Sequence, residues 1–195
     1  MPPLANGPLF YVMGPSGAGK DSVLARARQL LAPDTSVIFA HRYITRPPEA
    51  SGENHVALSD LEFAMRRTHG LFAFHWQAHG NHYGIGREIH AWRKAGLTVV
   101  VSGSREHFQS VAGVDPDTYP VLITAPVARL RERLAARGRE DEAAAARRLE
   151  RSDAYDVHDP RLITIVNDGP LDEAATALVR VLATFRSAPA ARLRA

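Results

Sequence analysis

Nine consecutive residues, Gly14, Pro15, Ser16, Gly17, Ala18, Gly19, Lys20, Asp21 and Ser22, have the types and spacing that hold a polyphosphate. The glycines let the backbone curl until successive N–H groups point inward. Lys20 adds a point charge that can follow a transferring phosphoryl group. It is one of only two lysines, with Lys94, in a chain of 24 basic residues. The loop pattern ordinarily ends Gly-Lys-Ser/Thr, because that hydroxyl binds Mg²⁺. Here Asp21 takes the place and Ser22 follows. A carboxylate can hold Mg²⁺ directly or through water, and it can also cap a helix. The metal or phosphate role is preferred for Asp21, with capping as the alternative.

Such a loop works only between a strand and a helix, and the flanking residues supply both. Leu9–Met13 reads as a buried strand, and Val23, Leu24, Ala27, Leu30 and Leu31 form one helical face after the loop. Further strands are expected at Val37–Ala40, Leu97–Val101, Tyr119–Thr124 and Leu162–Val166. Helices are expected at Arg87–Ala95, Val127–Ala136, Asp141–Tyr155 and Leu171–Phe185. Between His41 and Gly86 the chain turns rich in His, Pro, Gly and aromatics, with one helical segment near Ser59–His69. Strands alternating with helices imply an α/β fold. Its core is a parallel five-stranded sheet with helices on both faces, and the site lies at the carboxyl ends of the strands. One domain is expected over 1–185. Its core is 8–40 and 87–185, its inserted acceptor lobe 41–86 and its lid about 137–148. A flexible tail is expected over 186–195.

Composition narrows the classes. The chain has 195 residues, 45% of them hydrophobic and 23% charged, a net charge of +3 and no cysteine. That excludes disulfides and thiol chemistry. Mild basicity suits anionic substrates and does not call for nucleic acid, since no aromatic-interleaved basic run accompanies it. No apolar run reaches membrane-spanning length and no secretory leader is evident, so a cytoplasmic protein is expected, with no membrane partner.

Three stretches then separate phosphoryl-transfer proteins from one another. The first is Tyr43-Ile44-Thr45-Arg46-Pro47-Pro48, followed by Gly52-Glu53-Asn54-His55. The second runs from Gly70 through His75-Trp76-Gln77-Ala78-His79-Gly80 to Tyr83-Gly84, and the third is Arg133-Leu134-Ala135-Ala136-Arg137-Gly138, reaching Arg148-Leu149. With the loop they resemble the guanylate kinase superfamily, in the same order over about residues 8 to 184. The resemblance implies a P-loop, nucleoside-monophosphate-kinase-like fold with an arginine-rich lid, and ATP with Mg²⁺ as donor. It also implies acceptor-phosphate contacts from Arg46, Arg42 and Tyr83, and catalytic charge neutralisation by Lys20, Arg137 and Arg148. Arg129, Arg131, Arg133 and Arg139 read as solvated surface charges.

The departures from guanylate kinase are informative too. Phe74 stands where a Glu would read the guanine edge, and a buried ring accepts no hydrogen bond from a guanine amide. Glu49 or a neighbour replaces the arginine expected after T-R-P-P, and His55 replaces a tyrosine. Ile85-Gly86 replaces a Thr/Ser position, and Val99-Val100-Val101-Ser102 lacks the expected acidic residues. An acceptor without a purine is implied. The loop G-K-D-S, Y-I-T-R-P, H-W-x-A-H-G-x-x-Y-G-I and G-S-R together look like the ribose 1,5-bisphosphate phosphokinases of phosphonate utilisation, with Ser102 where Asn is expected. That branch implies ATP-dependent phosphorylation of a phosphorylated sugar, ribose 1,5-bisphosphate, to 5-phosphoribosyl 1-diphosphate. Ser104 and Arg105 would hold the second phosphate, and Glu53, His55, His75 and His79 would line the acceptor lobe. The i, i+4 spacing of His75 and His79 is not read as a metal site, because glycine and aromatics around them suggest strand and turn. The alternatives are a guanylate or other nucleoside monophosphate kinase, or a non-catalytic binding module of the same fold, which the intact loop disfavours. A homodimer is compatible with the sequence.

Overall fold

The computed structural model describes residues 6–47, 55–115, 117–136 and 157–185. Strand β1 (Leu9–Met13) is completely buried and lies at the centre of the main sheet. Its side chains alternate between two apolar layers. Phe10 and Val12 pack with α1 (Lys20–Leu30) and the last helix, through Val23, Ala27, Leu178 and Leu182. Leu9, Tyr11 and Met13 face Ile89, Phe108 and Val111 on the opposite side.

The chain continues from α1 to β2 (Val37–Phe39), β3 (Arg42–Ile44), β4 (His55–Ala57), α2 (Asp60–Thr68), β5 (Phe72–Ala78) and β6 (Asn81–Gly86). It then forms α3 (Glu88–Lys94), β7 (Thr98–Ser102), α4 (Arg105–Val114), β8 (Thr118–Thr124), α5 (Val127–Ala136), β9 (Ile163–Val166) and α6 (Leu171–Thr184). The main sheet is ordered β2-β7-β1-β8-β9 and every pairing is parallel. The chain leaves β1 toward β7 and β2 on one side and later crosses to β8 on the other. That reversal opens a crevice at the carboxyl end of β1. The parallel core expected from the sequence is therefore present.

A second sheet, β4-β3-β6-β5, occupies the segment between β2 and α3. It rests on α2 through Phe63 stacked on Phe72 at 4.6 Å, and on the main core through Phe74 and Ile85. Ser59 starts α2 by accepting from the Glu62 N–H at 3.1 Å, a side-chain cap. Its strands were not resolved individually by the sequence.

One element was missed altogether. Helix α4 buries only Phe108 and Val111 and carries a glycine, Gly113, in its last turn. Its periodicity is too thin to read; packing of Phe108 on Tyr11 at 5.6 Å supplies the support instead. The expected helix over Asp141–Tyr155, the lid with Arg137 and Arg148, Glu53 and the tail all lie outside the described residues.

Candidate active site

The loop after β1 is shaped by its glycines and by the end of β9. Gly17 and Gly19 adopt φ of 88° and 76°, in the left-handed region that costs other residues strain. Gly19 is the N-cap of α1, and no side chain caps that helix. Asp21, in the first turn of α1, pairs its carboxylate with Lys20 and Arg42. Asn167, just past β9 and 4% exposed, donates from Nδ2 to the Ala18 carbonyl at 2.8 Å. Its own N–H donates to the Thr124 carbonyl at 2.7 Å. A buried side-chain amide so held fixes the loop from behind. The sequence reading did not select Asn167; its one signal was a polar residue directly after a core strand.

The loop after β1, the carboxyl end of β7 and the start of β3 meet around Lys20 and Asp21. Lys20 Nζ donates to Ser102 Oγ at the end of β7 at 2.5 Å, and to Asp21 Oδ1 at 2.6 Å. Arg42 Nη2, on β3, donates to the same Asp21 oxygen at 3.3 Å. Ser102, Lys20, Asp21 and Arg42 therefore form one polar chain from the core to the second sheet. The Arg42 guanidinium lies 5.8 Å from the Tyr83 ring centroid. Tyr83 in turn stacks on Trp76 at 5.4 Å and 8°, and Trp76 on His107 at 5.5 Å. Thus Arg42 and Tyr83, from separate motifs, are brought together beside the loop lysine. Trp76 is half-buried and backs Tyr83.

The other selected residues divide by position. Arg46 is half-buried two residues past β3. The preceding Thr45 is tied to β6, its hydroxyl accepting from the His82 N–H at 2.9 Å. His55 lies on β4 in register with Arg42. His75 and His79 belong to β5 and its exposed turn, two strands away from β3. Partial burial, then the charges of Arg67 and His82, hold the His75 imidazole below its ordinary range, so it is neutral near pH 7.

Ser104 and Arg105 open α4 just past β7. The Ser104 N–H donates to Tyr11 Oη at 3.0 Å, and that hydroxyl donates back to the Ser104 carbonyl at 3.1 Å. Burial pushes the Tyr11 phenol far above its usual range, so it remains protonated for both contacts. The turn passes so close to the ring that a Cβ at Gly103 would sit 1.9 Å from Tyr11 Cζ.

Arg133 corrects an expectation. It does not behave as a solvated surface charge. Its Nη1 is buried, without a hydrogen-bond partner among the described residues, and 3.7 Å from where a Cβ of Gly19 would stand. Arg129, by contrast, is exposed and pairs with Asp168 at 3.1 Å and Glu132 at 3.0 Å. A buried cationic donor left unsatisfied is costly unless an anion meets it. Together with the glycine cradle and Lys20, it shows that the loop fits a polyphosphate. Arg133→Ala is therefore expected to lower kcat/KM for ATP about 10- to 100-fold, the scale of one charge-assisted contact. The urea midpoint should not fall. Kinetics at saturating acceptor, with a denaturation curve, check both.

No protein-family model matches the chain. Among curated proteins it is 52% identical over 174 residues to the ribose 1,5-bisphosphate phosphokinase PhnN of Desulfomicrobium baculatum, covering 89% of this chain and 93% of that one. It is 48% identical over 179 residues to the protein of the same name from Thiobacillus denitrificans, covering 92% and 94%. The chain belongs to the ribose 1,5-bisphosphate phosphokinase family. Among solved structures, guanylate kinase from Anaplasma phagocytophilum superposes with a TM-score of 0.66 at 18% identity, covering 94% of this chain and 88% of that one. At that identity the likeness speaks for the fold, which is the P-loop kinase fold expected from the motifs. A phosphokinase family is consistent with the loop and with the polar chain that links it to Arg42. It is also consistent with Phe74, whose ring is 4% exposed inside the apolar layer and presents nothing to a purine edge. No helix of the described residues is long and apolar enough to cross a membrane.

Proposed function

We propose that the chain transfers the γ-phosphoryl group of ATP to the 1-phosphate of ribose 1,5-bisphosphate, forming 5-phosphoribosyl 1-diphosphate and ADP. One observation carries this reading: the unbroken contact Ser102–Lys20–Asp21–Arg42 joins a polyphosphate loop to an arginine of the inserted sheet. A phosphate oxygen of the acceptor attacks the γ-phosphorus, a new P–O bond forms, and the β,γ-bridge bond breaks with its electrons going to ADP. The attacking oxygen is already anionic near neutral pH, so no strong general base is needed. Positioning and charge neutralisation carry the rate.

In this scheme the N–H groups of Gly14, Ser16, Gly17, Ala18 and Gly19 cradle the donor, and Pro15, which has no N–H to give, fixes the turn between them. Lys20 and Arg133 neutralise its transferring end, with Arg137 and Arg148 joining from the lid. Arg42, Arg46 and Tyr83 hold the accepting phosphate, and His55, His75, His79 and Glu53 are the sequence-based candidates for further acceptor contacts. Ser104 and Arg105 are the sequence-based candidates for the second phosphate. Mg²⁺ would be held at the loop end by Asp21, about half exposed, with Ser22 beside it, and would neutralise charge on the donor phosphates. Dependence on ATP supports a cytoplasmic setting.

Asp21→Ala should raise the apparent KM for Mg²⁺ at fixed ATP about 10-fold or more, the scale on which metal-site partners act. The melting temperature should hardly move. An unchanged Mg²⁺ dependence would overturn the metal assignment. The function itself is tested by ADP release with Mg·ATP and four acceptors: ribose 1,5-bisphosphate, ribose 5-phosphate, AMP and GMP. Turnover confined to the bisphosphate supports the reading, and turnover with GMP contradicts it.

A further inference from the structure

Helix α1 has two working faces. Val23, Ala27 and Leu31 pack into the core. A neighbouring face, Asp21, Leu24, Ala25 and Arg28, repeats at i, i+3, i+4 and i+7 and lines a cavity of about 400 Å³ between α1 and the β2 edge of the sheet. That size falls in the range of small-molecule sites. Phe39 and Val100 give it an apolar floor, and Ala25 and Ala32 leave room above.

Its two ends differ. At one end stand Ser102 and Asp21, both in contact with Lys20 Nζ, so this end opens on the phosphoryl-transfer point. Arg28 lies seven residues further along α1, about 10 Å along the axis at the helical rise. Arg42 stands on the wall across from the helix. The lining thus carries two arginines against one carboxylate. After burial, the charge of Arg28 is the next cause holding the His41 imidazole below its usual range. The guanidinium therefore acts at the β2–β3 junction, on the cavity side. An anchor for anions at each end and an apolar middle match a sugar phosphorylated at both ends. Arg105 does not line this space.

We propose that Arg28 binds the acceptor's second phosphate, the one remote from transfer, and that the α1–β2 cavity is the sugar subsite. Arg28 then selects a bisphosphate over a monophosphate. This rests on the bisphosphate reading given above. The competing role for Arg28 is to complement the helix C-terminal dipole, which would show in stability alone.

The test compares Arg28→Gln with Arg26→Gln, a charge control on the same helix whose guanidinium pairs with Asp172 at 2.7 Å. In Arg28→Gln the KM for ribose 1,5-bisphosphate should rise about 10-fold or more, with the KM for ATP within twofold and partial recovery in Arg28→Lys. Ribose 5-phosphate, which keeps only the remote phosphate, should inhibit wild type competitively and lose that effect in Arg28→Gln. Arg26→Gln should alter neither. An unchanged bisphosphate KM in Arg28→Gln, with wild type active, overturns this inference alone. A wild-type enzyme that does not use the bisphosphate overturns the parent reading and this one with it.

Discussion

Lys20→Ala should lower kcat by at least about 10³-fold while leaving the protein folded. The lysine side chain donates to Ser102 Oγ and Asp21 Oδ1, and Asp21 retains Arg42 when the amine is removed. Core packing beneath the loop, through Ala18 and Val23, is untouched. On the proposed scheme, what disappears is the cation that neutralises the transferring phosphoryl group. Its effect on the transition state exceeds its effect on ground-state binding, so kcat should fall more than the KM for ATP rises. Single-turnover kinetics and a melting curve test both halves. A kcat within tenfold of wild type would remove Lys20, and with it the loop, from the catalytic account.

The largest stability effect is expected far from the chemistry, at Arg93. This residue of α3 is 6% exposed. Its Nε donates to the Gly7 carbonyl at 2.9 Å and its Nη1 to the Asp115 carboxylate. The Gly7 N–H returns a bond to the Arg93 carbonyl at 2.8 Å. One guanidinium thus clamps the segment entering β1, the end of α3 and the end of α4. Arg93→Ala leaves the Asp115 carboxylate, itself largely buried, without its counter-charge. Breaking a buried pair from one side costs about 3–5 kcal/mol, which for a chain of this length is a fall of about 10 °C or more in the melting temperature. A urea titration gives the free energy directly. A loss under about 1 kcal/mol would show that the clamp is dispensable.

These two residues also show where the sequence could be read and where it could not. Lys20 was legible because its meaning is local: a strand, a glycine-rich turn and a helix are consecutive, and the lysine is fixed by its place among them. The apolar run of β7 and the ring of Phe74 were legible for the same reason, since burial follows from the residue type. Arg93 was read only as the last turn of a helix, because nothing in its neighbourhood shows that Gly7 and Asp115 return to it. Arg133 was misread in the same way. On a helix with several arginines, the one that faces the loop is chosen by how α5 packs, not by its own sequence. Asn167 and the second face of α1 share this character, being polar or small residues whose role appears only when distant strands close around them. Ser104 presents the converse case. It was selected for a phosphate, and its backbone N–H is satisfied by Tyr11, a partner 93 positions away.

The most direct measurement is phosphorus-31 NMR of one reaction containing Mg·ATP and equal amounts of ribose 1,5-bisphosphate and GMP. The account predicts two mutually coupled diphosphate resonances on the sugar, growing as the 1-phosphate signal and ATP decline together, with the GMP signal unchanged. Loss of the GMP signal to GDP, with the bisphosphate left intact, would contradict it.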